Sequence, residues 1–215
     1  MLLFTVAVWT LHHELNAYHL SDIFIDFQSI PGLRLLAAVV LTLVSYAVMT
    51  GYDVLALRYI RQALPFPKVG LASFIGYAFS NNIGMSMIAG ASVRYRLYSA
   101  WGLSPLQITQ VVGFCTLTLW LGFCAIGGVA FLTEHLMIPA AIRLPSDSLR
   151  VIGIAMLAFV LSYGILSTVK KTTLKARGWE VRLPSGRLLI WQLGIAALDW
   201  VLASLVLYVL LDPSR

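Results

Sequence analysis

The sequence predicts an all-α fold, a polytopic bundle of transmembrane helices that contains one re-entrant or broken helix. Of the 215 residues, 60% are hydrophobic and 11% are charged, and the mean hydropathy is +0.87. Soluble domains carry about 25% charged residues, so a soluble fold could not hide this much apolar surface. Several apolar runs are about 20 residues long, which is enough to cross about 30 Å of hydrocarbon. One run has a polar centre, which predicts the irregular helix.

The hydropathy pattern predicts six helical segments. The first run, Leu2–Leu11, is short for a span and forms a helix only if it extends to about Leu15. A cleaved signal peptide is disfavoured, because no basic segment precedes this run and no small-residue cleavage site follows it. The predicted helices cover residues 2–15, 35–57, 69–89, 106–132, 149–169 and 188–211.

Basic residues in the connections predict the orientation of the bundle. The connection 170–187 holds six Lys or Arg residues against a single acidic one, so it should lie in the cytoplasm. Alternation along the chain then places 134–150 outside and 90–104, with its two arginines, inside. The connection 58–68 holds three basic residues and also favours the cytoplasm.

The segment 69–89 therefore has two cytoplasmic ends. A re-entrant or broken hairpin satisfies both ends, whereas a full crossing would move the basic connection before it to the outside. The polar centre at 80–82 suits a turn at membrane depth, which is allowed where protein or a water-filled cavity surrounds it. The length would also allow a span, but the charges favour the re-entrant form.

Two carboxyl groups inside apolar segments are candidate functional residues. Asp199 lies halfway along the last helix, where an ionisable group costs several kcal/mol unless it is paired or hydrated. Asp53 lies near the cytoplasmic end of its helix. The structural alternatives are a pair between Asp199 and Arg94 or Arg96, a protonated Asp199 bonded to a neighbour, and an interfacial Asp53 beside Arg58.

A basic pair directly after the polar segment is the other candidate. Arg94 and Arg96 flank Tyr95, and guanidinium groups bind phosphate in a forked geometry. A lipid phosphate at the cytoplasmic interface is the expected ligand, and ordinary positive-inside residues are the alternative. The neutral polar residues that would line the path are Ser80, Asn81 and Asn82.

No metal or cofactor is expected. A histidine-rich stretch at 12–19 lacks the H-E-x-x-H spacing, because Ala17 occupies the place of the second histidine. Cys115 and Cys124 share one predicted helix, on opposite sides and about 13 Å apart along the axis, so they cannot form a disulfide. No nucleophile triad or phosphate-cradling glycine loop is present in the sequence.

Three blocks occur in order between Gly51 and Ser104: GYDVLALRYI, SFIGYAFSNNIG and SVRYRLYSAWGLS. Together with HHEL near the start, they resemble the bacterial multiple peptide resistance factor family, the phosphatidylglycerol lysyltransferase/flippase proteins. The resemblance continues more loosely through the remaining helices. Family members join an N-terminal membrane domain to a C-terminal soluble domain that esterifies phosphatidylglycerol with an amino acid from aminoacyl-tRNA.

The resemblance implies that residues 1–215 form a single, incomplete flippase-type domain of the bacterial inner membrane, without the soluble aminoacyltransferase domain. Such a domain would move lysyl- or alanyl-phosphatidylglycerol from the inner to the outer leaflet and so give resistance to cationic antimicrobial peptides. Aminoacyl-tRNA would be a partner only through the absent domain, and enzyme activity and homo-oligomerisation stay open. The alternative function is a non-transporting scaffold that docks the transferase and presents phosphatidylglycerol to it.

A translocator must replace water for the phosphate anion and for the amine cation of this lipid. Arg94 and Arg96, with Tyr95 between them, would receive the phosphate. Asp199, and less directly Asp53, would offset the amine. The two functions differ here, because a scaffold shares the arginine pair but needs no carboxyl at the midplane.

Overall fold

The structure is a computed structural model that describes residues 30–82, 86–133, 146–169, 173–176, 179–182 and 184–211. The predicted helix 2–15 and the histidine-rich stretch lie outside these residues. The described chain forms six helices and two short strands. In order, these are α1 (Gly32–Tyr59), α2 (Phe66–Asn82), α3 (Ser86–Ala100), α4 (Pro105–Thr133), α5 (Ser146–Val169), β1 (Thr173–Ala176), β2 (Trp179–Arg182) and α6 (Gly186–Leu210).

Four of the described helices are long and apolar enough to cross a membrane: α1, α4, most of α5, and α6. They confirm the predicted fold class. Their outward faces are apolar, as Leu43 on α1 and Ile190 on α6 show with 61% and 72% of their surface exposed. Large apolar faces of this kind suit contact with lipid rather than water.

The antiparallel β1–β2 pair in the connection before α6 was not predicted, because hydropathy carries no signal for so short a hairpin.

Local sequence sets the ends of the helices. Gly102 adopts a φ of 91°, a left-handed conformation that glycine tolerates, and α3 ends just before it. A capping box then starts α4. The backbone N–H of Gln107 donates to Ser104 Oγ at 3.3 Å, and the backbone N–H of Ser104 donates to Gln107 Oε1 at 2.9 Å. Pro105 occupies the first helical position, where its missing N–H costs nothing.

The irregular segment is a pair of helices. α2 ends at Asn82 and α3 begins at Ser86, so the predicted broken hairpin is present. One detail of that prediction was wrong. The polar residues Ser80, Asn81 and Asn82 are the last three residues of α2 rather than a turn. The last carbonyl groups of a helix lack partners within it, and a polar side chain can supply one, as Asn82 Nδ2 does for the carbonyl of Ala78.

The two helices of the hairpin approach closely through small residues. A Cβ placed on Gly90 would collide with Ser80 Oγ and lie 2.9 Å from the carbonyl oxygen of Gly76. Gly76 in turn lies against the side chain of Arg94. Ser80 thus meets Gly90 and the earlier Gly76 meets the later Arg94, so the two helices run antiparallel. The small residues Gly76, Ser80 and Gly90 let the two backbones approach closely, as small residues do in membrane bundles.

The basic connections lie at one end of the bundle. The Lys68 ammonium is 5.5 Å from the centre of the Trp101 ring, which brings the start of α2 beside the end of α3. α6 runs antiparallel to α1, because Leu35 and Leu210 line the same groove, so the connection before α6 lies beside the end of α1. The connection between α1 and α2, the end of α3 and the start of α6 therefore lie at one end of the bundle, which agrees with the positive-inside pattern. The prediction of 90–104 as a cytoplasmic connection was wrong, because α3 continues to Ala100 and Arg94 is buried inside the bundle.

The longer helices also pack through glycines. A Cβ on Gly122 of α4 would lie 2.6 Å from the Cβ of Ala196 on α6. A Cβ on Gly128 of α4 would lie 3.1 Å from the carbonyl oxygen of Gly153 on α5. The main buried cluster sits where α1, α2, α3, α4 and α6 meet, and it is there that the polar residues of interest lie.

Candidate functional site

Asp53 and Arg94 form an ion pair inside the bundle. Arg94 Nε donates to Asp53 Oδ1 at 2.9 Å, and Arg94 Nη2 donates to Oδ2 at 2.8 Å. The Tyr98 hydroxyl donates to Oδ1 at 2.8 Å. Asp53 is 0% exposed and Arg94 is 4% exposed. A forked geometry of this kind, with hydrogen bonds to both carboxylate oxygens, is the one in which a buried ion pair is tolerated.

The α2–α3 hairpin supplies both Arg94 and the tyrosine ring that packs against its guanidinium. The guanidinium carbon of Arg94 lies 4.4 Å from the centre of the Tyr77 ring, a cation–π distance. The expected structural alternative, Asp53 beside Arg58, is wrong, since Arg58 is exposed and Asp53 is paired elsewhere. The structure also commits two nitrogens of Arg94 to Asp53, whereas the sequence assigned this arginine to a lipid phosphate.

Asp199 lies apart from the arginines. Ser45 Oγ donates to Asp199 Oδ1 at 3.1 Å, and Tyr52 Oη donates to Oδ2 at 2.9 Å. The carboxyl is 6% exposed at the interface of α6 with α1. The alternative of a pair between Asp199 and Arg94 or Arg96 is therefore wrong. Two neutral hydroxyls are its partners among the described residues.

A third polar group lies on the same face of α6. Gln192 Nε2 donates to Thr118 Oγ1 at 2.7 Å, and the Tyr163 hydroxyl donates to Gln192 Oε1 at 3.3 Å. Thr118 Oγ1 itself donates to the carbonyl of Phe114 at 2.8 Å. These groups satisfy one another across α4, α5 and α6, so this cluster serves helix packing.

A cleft of about 290 Å³, whose wall is mainly apolar with a few polar side chains, opens between α1, α2, α3 and α4. Tyr52, Tyr77 and Arg94 form part of its wall, so both buried carboxyl groups connect to it through a direct partner. The side chains that give the cleft its neutral hydrogen-bonding capacity are Tyr52, Ser80, Asn81 and Thr116.

A second, open groove of about 670 Å³ adjoins the cleft. Arg96 and Tyr95 lie on one side of it, and Ile108 lies on the other. Arg96 is exposed, and its side chain has no ion-pair partner within the part of the chain that the structure describes. The groove and the cleft share the wall residues Ala91 and Val112.

The predicted polar residues separate into two groups. Ser80 and Asn81 line the cleft. Asn82 does not, since its side-chain nitrogen Nδ2 donates to the carbonyl of Ala78 at 2.8 Å on the exposed end of α2.

Among the histidines, cysteines and carboxylates of the described ranges, no group of three lies close enough together to hold a metal ion. Cys115 is buried and Cys124 is half-buried, and both are free thiols.

Sequence analysis missed three partners of the buried carboxyl groups: Ser45, Tyr52 and Tyr98. One of them had a local signal: Tyr98 lies four residues after Arg94, which places these two residues on one face of α3. Tyr52 and Ser45 had none, since they meet Asp199 across separations of 147 and 154 residues.

A bundle with four membrane-spanning candidates and hydrogen-bonded carboxyl groups in its interior defines an integral membrane protein with several spans. No protein-family model matches the chain. It is 36% identical over 209 residues, 97% of its length, to the uncharacterized protein slr0712 of Synechocystis sp. (strain ATCC 27184 / PCC 6803 / Kazusa). It is 32% identical over 181 residues, 84% of its length, to the inner membrane protein YbhN of Escherichia coli (strain K12). The chain is homologous to both and covers 65% and 57% of their respective lengths.

Proposed function

We propose that this chain is the translocating membrane domain for an aminoacyl ester of phosphatidylglycerol, and that it moves lysyl- or alanyl-phosphatidylglycerol from the inner to the outer leaflet. The observation that carries the proposal is the shared wall between an open groove that holds Arg96 and a cleft that holds hydroxyl and amide side chains. A lipid head group needs both: a cation where it enters and hydrogen-bonding groups where it crosses. Outer-leaflet aminoacyl lipid would lower the negative surface charge that attracts cationic antimicrobial peptides.

The groove fits the entry step. Arg96 offers a guanidinium without an ionic partner in the described chain, and the neighbouring Tyr95 is 49% exposed. A phosphate can take a forked pair of hydrogen bonds from this guanidinium. Ile108 and Val112 on the facing wall offer an apolar surface for acyl chains. The phosphate is therefore assigned to Arg96, because Arg94 is already paired with Asp53.

The cleft fits the crossing step. Its hydroxyl and amide groups replace the water that a polar head group loses, and the Arg94–Asp53 pair adds a dipole with no net charge. Asp199 lies behind Tyr52 and supplies the negative charge that offsets the amine of the head group. A non-transporting scaffold would need the groove alone, so the cleft favours transport.

The proposed family agrees with this placement. The three sequence blocks that resemble the multiple peptide resistance factor family include the last part of α1, of α2 and of α3, and they contribute Asp53, Asn81, Arg94 and Arg96. The homology to a protein named for the inner membrane supports the same location for this chain, with its basic connections in the cytoplasm. Synthesis of the lipid from aminoacyl-tRNA is not part of the proposal for residues 1–215.

The test is a leaflet assay with the full chain in phosphatidylglycerol vesicles that carry lysyl-phosphatidylglycerol on one side. A membrane-impermeant amine reagent on the opposite side measures the lipid that has crossed. We expect Arg96→Ala to slow crossing by about tenfold or more, the value of one charge-assisted hydrogen bond. Arg58→Ala removes another exposed arginine at the same end of the bundle and should leave the rate unchanged.

The two candidate functions give different outcomes. One outcome would support the scaffold and overturn transport: the chain binds lysyl-phosphatidylglycerol, but the lipid crosses no faster than in protein-free vesicles. An equal effect of Arg96→Ala and Arg58→Ala on crossing would remove Arg96 from the entry step.

A further inference from the structure

We infer that Asp199 is a proton-binding carboxyl that exchanges its proton with the cleft between α1, α2, α3 and α4 through the hydroxyl of Tyr52. The inference does not depend on lipid transport. It adds a proton site to a residue that the proposed function uses only as a negative charge.

The partners of the two buried carboxyl groups differ in what they allow. Asp53 accepts two hydrogen bonds from Arg94, and a guanidinium only donates, so these contacts suit the anion alone. Asp199 is bonded by the hydroxyls of Ser45 and Tyr52, which can donate to a carboxylate or accept from a carboxylic acid. The surroundings of Asp199 are therefore compatible with both protonation states, and those of Asp53 are not.

Among the residues that the structure describes, no fixed cation is paired with Asp199. The helices that pack against α6 are α1, α4 and α5, and α4 has no charged residue at all. Tyr52 is the ionisable group that α1 presents to the carboxyl, and Asp53, next to it, is neutralised by Arg94. On α5, Tyr163 bonds to Gln192, two turns before Asp199. The remaining charged residues of α1, α5 and α6 stand in their first two turns or their last turn: Arg34, Arg58, Asp147, Arg150 and Arg187.

Tyr52 connects this carboxyl to the cleft. The side chain is 1% exposed, its ring lines the cleft, and its hydroxyl lies 2.9 Å from Asp199 Oδ2. On uptake, Tyr52 Oη receives a proton from the cleft as its own proton passes to Oδ2. On release, the same transfers run in reverse. One proton moves in either case, no other bond changes, and the tyrosine ends as a neutral phenol.

The exchange has a consequence for the proposed function, and this step rests on it. The cleft beside a charged Asp199 favours a cationic head group, and the cleft beside a protonated Asp199 does not. A proton and the ammonium of the head group would then compete for one negative charge. Transport would respond to a pH difference across the membrane.

The protonation of Asp199 can be measured without any lipid assay. Infrared difference spectra of the full chain in lipid, recorded across a pH titration, should show the carbonyl band of a carboxylic acid that appears on acidification. Transfer to heavy water should shift this band. We expect the band to be lost in Asp199→Asn, which keeps the side-chain shape, and its isotope shift to be lost or delayed in Tyr52→Phe. Tyr208→Phe removes an exposed hydroxyl from the same helix as Asp199 and serves as the control.

Each result decides the inference. The chain has nine Asp and Glu residues, so the decisive signal is the carboxylic-acid band that the wild-type chain shows and Asp199→Asn lacks. Titration spectra with the same carboxylic-acid bands in both chains would overturn the proton site. Unchanged exchange in Tyr52→Phe would overturn the route through the cleft. The leaflet assay is separate. Crossing by the wild-type chain that ignores a pH gradient would remove the coupling only, and absence of crossing would remove the proposed function while the infrared result stands.

Discussion

The Arg94 guanidinium and the Asp53 carboxylate, 41 residues apart in the chain, meet through two parallel hydrogen bonds of 2.9 and 2.8 Å in the bundle interior. This contact ties the hairpin of α2 and α3 to α1. It also brings Arg94 to the wall of the cleft with its charge already balanced. The hairpin is thus held by electrostatics as well as by close packing.

Removing one partner of this pair should destabilise the protein strongly. Asp53→Ala leaves Arg94 buried without a counter-charge, and we expect a loss of about 3–5 kcal/mol. Thermal unfolding in detergent measures it. Arg58→Ala, an exposed arginine on the same helix as Asp53, should change stability by no more than about 0.5 kcal/mol. A double variant that replaces Asp53 and Arg94 with apolar residues should recover part of the loss, and equal melting of Asp53→Ala and Arg58→Ala would contradict the role of the pair.

The close approach within the hairpin should make Gly90 intolerant of a side chain. A Cβ at this position collides with Ser80 Oγ and crowds the Gly76 carbonyl, so Gly90→Ala forces α2 and α3 apart. We expect a clear fall in melting temperature. Gly194→Ala places a Cβ in open space within α6 and should be neutral or stabilising by up to about 1 kcal/mol, because alanine is the better helix former. The prediction fails if the two variants melt alike.

The hairpin should present both of its outer ends to the same side of the membrane. In a chain whose native cysteines are replaced, Gln62→Cys before α2 and Ser99→Cys near the end of α3 should react with an impermeant maleimide from the cytoplasmic side. Thr133→Cys at the far end of α4 should react from the other side. Labelling of the first two positions from opposite sides would instead show that the segment crosses the membrane.

The cluster on α6 should depend on the hydroxyl of Thr118. Thr118→Val keeps the shape of the side chain but removes the acceptor of the Gln192 amide, and an unsatisfied buried donor costs about 1–3 kcal/mol. Unfolding in detergent again gives the measurement. Thr133→Val, at the exposed end of the same helix, loses a bond to its own backbone and should have little effect. Similar stability of the two variants would show that Gln192 finds another partner.

Much of the architecture follows from the sequence because its signals are local. The predicted helix 35–57 corresponds to α1 at Gly32–Tyr59, and 106–132 corresponds to α4 at Pro105–Thr133. Each is a contiguous apolar run, and its ends carry recognisable caps such as the box at Ser104 and Gln107. The polar centre of 69–89 correctly predicted a broken element. The strands β1 and β2 lack such a signal, and they were missed.

The partners of the buried polar residues could not be predicted in the same way. Asp53, Arg94 and Asp199 stood out in the sequence because ionisable groups are costly in hydrocarbon. Which of them pair depends on how each helix is rotated and how deeply it sits, and one residue changes the direction of a side chain by about 100°. The expected contact of Asp199 with an arginine failed for this reason.

The amino-acid sequence by itself therefore determined that this is a helical membrane protein, where its long helices lie, and which of its connections are basic. Those properties are sums over neighbouring residues. The tertiary structure alone decided that Arg94 pairs with Asp53, that Asp199 bonds to Ser45 and Tyr52, and that Arg96 is exposed in the groove beside the cleft. These are contacts between helices far apart in the chain, and helix packing places them within hydrogen-bond distance.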